Sequence, residues 1–197
     1  MPLSTNTVKT ATHQAIIENG YTITFEGTDG YYLIKNNKDF RTISIQLVIS
    51  NSVDINRQSP EGNEIYSMNY LHLHVPIGEP YPDFYVLALE NAVADRPEFI
   101  IIPSITLNEK LFEMGLIWKR NVALSFLLYP DGKVFDITNI SGEGRWYLLR
   151  KGIGGRMADG SQYDYSEWLD NWTGLKRSLS TLQSNTAKDI QAFRFSC

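Results

Sequence analysis

Two stretches of this chain carry residue types that could do chemistry. In YLHLHVP, residues 70–76, His72 and His74 stand two apart on an alternating apolar pattern. Alternate residues of a strand face the same side, so both imidazoles could serve one transition metal. A third ligand would come from Asp83, Glu79 or His13. The plainer alternative is two histidines on a half-exposed strand face. In RWYLLRKGIGGR, residues 145–156, Arg145, Arg150, Lys151 and Arg156 occur with no acid between them, and Trp146 and Tyr147 are interleaved. Guanidinium and ammonium groups contact phosphates, and aromatic rings stack on unpaired bases. Gly152, Gly154 and Gly155 would let the backbone approach a ligand closely. The alternative is a strand running into a loop whose charge is balanced by Asp159, Asp164, Glu167 and Asp170.

Other chemistries find no support in the sequence. It has no G-x-S-x-G elbow, no G-x-x-x-x-G-K-[ST] loop, no dinucleotide fingerprint and no paired C-x-x-C. The single cysteine is Cys197, so no disulfide can form within the chain, which suits a reducing compartment. The N-terminal MPLSTNTVKTATHQ lacks an apolar secretory core, and no apolar run approaches the roughly 18 residues a membrane span needs. The expectation is a cytoplasmic protein with no membrane contact. The net charge of −4 over 197 residues is unlike that of a bulk nucleic-acid binder, though a local basic groove is compatible with it.

These residues need elements to position them. Val8, Ala11, Ala15 and Ile16 place a short helix over 8–19, stopped at Gly20. YTITFEG (21–27), GYYLIKN (30–36) and RTISIQLVIS (41–50) read as three strands with turns at Thr28-Asp29-Gly30 and at 36–39. Residues 51–69 read as a polar loop. FYVLALEN (84–91) and EFIIIPSI (98–105) are strong strands, and TLNEKLFEMG (106–115) reads as a helix capped by Thr106. ALSFLLYPDGKVFDITNI reads as a hairpin about Pro130-Asp131-Gly132. Beyond Ser166, the apolar stripe Trp168, Trp172, Leu175, Leu179 and Leu182 predicts a long helix. That stripe would serve the core, or else a partner or a homodimer contact. The sum is one α/β domain: a mixed central sheet flanked by helices, with a core over about 8–140 and an extension over about 141–197.

The order of elements resembles the PD-(D/E)XK, or restriction-endonuclease-like, superfamily. Its core is a helix, three antiparallel strands, a helix and further strands. The likeness begins at AIIENGYTITF (15–25), continues through GTDGYYLIKN and ISIQLVIS, and extends to PDFYVLAL and PEFIIIPS; it covers roughly residues 8–112. The resemblance implies that Asp29 stands for the metal-binding aspartate and Gln46 for the second ligand, with Mg²⁺ as the cofactor. Two acids would hold that hard cation, which polarises the phosphate and generates hydroxide. The family's lysine is replaced by Val48. An active enzyme would therefore draw a lysine from elsewhere, with Lys35 and Lys38 as nominees. A second string, Pro82-Asp83 with Glu90, has Ala92 in the lysine's place and an odd spacing that puts 83 and 90 on opposite strand faces.

The expected function is binding or processing of nucleic acid, with DNA as the candidate partner, on a nuclease-like fold with impaired catalysis. The alternative is a non-enzymatic protein-interaction module, a subunit or regulator, on the same fold.

Overall fold

In the computed structural model of the chain, residues 3–56, 66–76, 80–91, 94, 96–138 and 164–177 are described, those of 52–56, 66 and 176–177 by backbone alone. The basic segment 145–156 and Glu79 lie outside these residues. The described elements run α1 (Thr5–Glu18), β1 (Tyr21–Glu26), β2 (Tyr31–Asn36), β3 (Thr42–Asn56), β4 (Tyr66–His74), β5 (Phe84–Glu90), β6 (Pro97–Pro103), α2 (Ser104–Glu113), β7 (Asn121–Leu128), β8 (Val134–Asp136) and a short α3 (Gly174–Arg177).

Helix α1 starts three residues before its expected position because Ser4 caps it: the Ser4 hydroxyl accepts from the Thr7 amide at 3.1 Å. Its buried side is Val8, Thr12 and Ile16, one every four residues. Thr12 tolerates burial by donating its hydroxyl to the Val8 carbonyl at 2.8 Å. Gly20 ends the helix region at φ +84.

The chain then builds an antiparallel meander, β1–β2–β3. Strand β3 is the hinge of the architecture. Its first half pairs with β2 on one side and, in parallel, with β5 on the other; its second half pairs with β4. The region expected as a loop from residue 51 is therefore strand as far as Asn56. The sheet continues from β4 to β7 and β8, and from β5 to β6, all antiparallel. Among the described residues the sheet is mixed and has eight strands.

Strand β5 is buried along its whole length. Phe84, Val86 and Ala88 face one apolar cluster, shared with α1, β1–β3, Trp172 and Leu175. Tyr85, Leu87 and Leu89 face the other, shared with α2, β4 and β7. An unbroken apolar run is what a strand covered on both faces requires. The PDG turn forms the expected β7–β8 hairpin, with Gly132 at φ +84.

The predicted long C-terminal helix is corrected within the described residues. Ser166–Trp168 is a single 3-10 turn, Leu169 is extended, and Asp170 has φ +47. Helix α3 has four residues. The competing interaction is with β6: Leu169 bridges Ile100, and Asp170 donates its amide to the Phe99 carbonyl at 2.6 Å and accepts the Phe99 amide at 3.1 Å. The stripe is consequently divided. Trp168 and Leu169 pack on the α2 side, Trp172 and Leu175 on the α1 side. Helix α2 starts at Ser104 instead of after Thr106, because β6 passes into it through Pro103.

Candidate functional site

An open groove of about 1330 Å³ runs beside β3. Its lining extends from Ser44 to Asn51 along that strand, roughly 23 Å at about 3.3 Å per residue. Asp29, Gly30 and Tyr31 contribute one wall, and His72 and His74 of β4 contribute another. Pro80, Tyr81 and Pro82 border it at the start of β5, and Leu3, Ser4, Thr5 and Lys9 border it from α1. Asp29 and Gln46, expected at a phosphate site, and His72 and His74, expected at a metal site, thus line one groove.

The Asp29 end is built by a tight turn. Gly30 takes φ +77, and its carbonyl accepts the Leu47 amide at 2.8 Å. A Cβ there would lie 2.8 Å from the Leu47 carbonyl oxygen, so only glycine fits. Register then sets Tyr31 opposite Gln46. The Gln46 side chain donates Nε2 to the Asp29 carbonyl at 2.6 Å and more distantly to the Leu47 carbonyl at 3.3 Å. Gln46 and Val48 share a face of β3, as residues two apart must. Val48 is 8% exposed and belongs to the apolar cluster with Leu71, Leu73 and Tyr85.

The two nominated lysines lie elsewhere. Lys35 pairs with Thr42, four residues along β2 from the Tyr31–Gln46 pair, about 13 Å away at strand rise. Its ammonium lies 5.0 Å from the centre of the Phe40 ring. Lys38 is in the following turn, where its amide donates to the Asn36 side chain at 2.8 Å. Neither lines the groove. Lys9 does, and sequence reasoning did not single it out. No signal in the sequence singles it out: Thr5 and Lys9, four apart, are seen to share a face only once Val8, Thr12 and Ile16 are found buried.

Asp83 and Glu90 have structural partners. Asp83 Oδ2 accepts the Ser44 amide at 2.7 Å and the Ser44 hydroxyl at 2.8 Å, joining the starts of β3 and β5. Glu90 accepts the Leu3 amide at 2.8 Å, and burial holds its carboxyl above the usual range. His74 Nδ1 lies 3.0 Å from Asn121 Oδ1 across the β4–β7 pair. His13 Nε2 is 3.3 Å from Glu26, on the α1 side of the sheet.

A resident Mg²⁺ wants several oxygen donors in octahedral array. Asp29 brings a carboxylate, the Gln46 amide nitrogen is turned to a backbone carbonyl, and Val48 brings nothing. Among the described residues no group of three His, Cys, Asp or Glu side chains could hold a metal ion. These residues do not fit a resident Mg²⁺, and the same absence of a third ligand applies to His72 and His74. Among the described residues, no helix is long and apolar enough to cross a membrane. The chain matches no protein-family model, no curated protein and no solved structure.

Proposed function

We propose that this chain is a nucleic-acid-binding protein on a restriction-endonuclease-like core whose cutting chemistry is incomplete. One observation carries the reading: the Gln46 side chain is hydrogen-bonded to the turn that bears Asp29, and position 48 shares its strand face, so the three positions of the motif meet at one groove. Further support comes from the order helix, three antiparallel strands, then a strand parallel to the third. The order departs from the resemblance at one point. Strand β4 stands where a helix is expected, and α2 follows only after β6.

With valine at 48 and a single carboxylate at the Gln46 end, the described lining of the groove lacks the means to activate water on a metal. Tyr31, Tyr81, His72 and His74 offer ring faces for unpaired bases. The alternative, a protein-interaction module, is favoured by the groove's fixed charges: Lys9 against Asp29 and Glu90 among the described residues.

The test is fluorescence anisotropy with a labelled single strand and the matching duplex, at low and moderate salt, with and without Mg²⁺. Salt-sensitive binding that is indifferent to Mg²⁺, without cleavage, is the expected result. Absence of binding to either probe at low salt overturns the reading in favour of the protein-interaction module. Mg²⁺-dependent cutting overturns the claim of incomplete chemistry.

A further inference from the structure

We infer that Lys9, carried by α1, is the phosphate contact of the groove. The inference rests on the nucleic-acid reading above. Lys9 is the only lysine or arginine among the described residues that line the groove holding Asp29 and Gln46. Its position is enforced by the fold. Val8, its chain neighbour, is 1% exposed and locks the rotation of α1 against the sheet. Thr5, one turn earlier, lines the same groove.

The ammonium is held where it is but not consumed. Its Nζ lies 3.7 Å from Glu26 Oε1, a separation at which the two attract without a short hydrogen bond, and both side chains are about one-third exposed, at 32% and 38%. Such a pair in solvent is worth little and exchanges readily. Glu26 is shared with two further partners: the Tyr32 hydroxyl donates to Oε1 at 3.3 Å, and His13 Nε2 is 3.3 Å from Oε2. Glu26 therefore keeps partners of its own if Lys9 turns toward a phosphate. Glu26 itself ends β1, three residues before Asp29 in the chain. A phosphate there would meet a lysine ammonium, a group that no other described lining residue carries.

Anisotropy titrations of a fluorescein-labelled single-stranded oligonucleotide, run over a series of salt concentrations, test this. Lys9→Met should weaken binding roughly tenfold at low salt and reduce the salt slope by about one phosphate contact. Lys9→Arg should retain both. Lys38→Met, which removes the same charge outside the groove, should leave both unchanged and so controls for net charge. Lys9 is a surface residue, and a circular dichroism melt shows whether each variant is folded. If the wild-type chain binds and Lys9→Met matches it in affinity and slope, the inference is overturned while the nucleic-acid reading stands. If Lys38→Met weakens binding as much as Lys9→Met, the effect is one of overall charge and the inference is likewise overturned. If the wild-type chain binds no oligonucleotide, the reading itself has failed and takes the inference with it.

Discussion

At Gly30 the backbone φ is +77, and the space where a Cβ would sit is filled by the Leu47 carbonyl. Both facts act together. Gly30→Ala should cost about 1–3 kcal/mol from the left-handed conformation alone, with the carbonyl contact added. Because Gly30 O also accepts the Leu47 amide, the change should loosen the turn that carries Asp29. Urea unfolding would give the loss of stability; an unchanged midpoint would mean the turn is not held as described. Residues of this kind are half visible in a sequence. Asp29-Gly30 reads as a turn from its types, but the need for glycine over asparagine comes from Leu47, seventeen positions away. Lys9 lies at the other extreme. Nothing in its neighbours names it as a groove residue until the sheet shows where the groove is.

Among the elements, β3 and β5 form the parallel pair on which the arrangement turns, and Asp83 holds their starts together. Its carboxylate satisfies the Ser44 amide and hydroxyl, while the Asp83 amide returns to the Ser44 carbonyl at 3.0 Å. Asp83→Ala leaves the Ser44 amide and hydroxyl without their acceptor and should destabilise the fold by about 2 kcal/mol. Denaturant titration measures it, and a loss within a few tenths of a kcal/mol of zero would rule out a structural role. Asp83 also shows how a sequence string misleads. Pro82-Asp83 followed by Glu90 imitates a catalytic pattern, yet the two acids sit at opposite ends of β5, one clamping β3 and the other receiving the Leu3 amide. Periodicity found most strands because β-branched and aromatic runs bounded by turn residues have few other uses. It misread the C-terminal stripe because a spacing of three to four fits a helix equally well as two short segments docked on opposite clusters.

For the molecule as a whole, several carboxyls are buried. Asp136 is fully buried, and loss of hydration pushes its carboxyl up against the pull of its hydrogen bonds with Thr138. Among the described residues, its Oδ2 has no hydrogen-bond partner. Loss of hydration also raises Glu90, which is buried, and Glu98 and Asp170, which keep contact with solvent. A carboxyl whose folded pKa exceeds its unfolded one keeps its proton longer in the folded state. The folded state then binds more protons between the two values, so stability falls as pH rises from about 4, the unfolded value, and levels off above the folded pKa. Asp39 and Asp131 are held low by Arg41 and Lys133 and act in the opposite sense, but those pairs are exposed and weak. The expected profile is a urea midpoint that is higher near pH 5 than at pH 8. Asp136→Asn, which removes the buried charge and keeps the shape, should flatten that profile and raise the midpoint at pH 8. A steeper slope in the variant would mean that Asp136 is not the dominant group.

The sequence by itself determined where most of the strands lie, where the Asp29-Gly30 and Pro130-Asp131-Gly132 turns fall, and that a helix precedes the three-strand meander. Those features follow from local stereochemistry and from the alternation of apolar residues. Only the tertiary structure decided that β3 serves two sets of partners, that β5 lies parallel to it, and that Asp29, Gln46, His72, His74 and Lys9 border one groove. Strand pairing and the meeting of distant side chains are set by which faces bury each other, and no local window of residues contains that information.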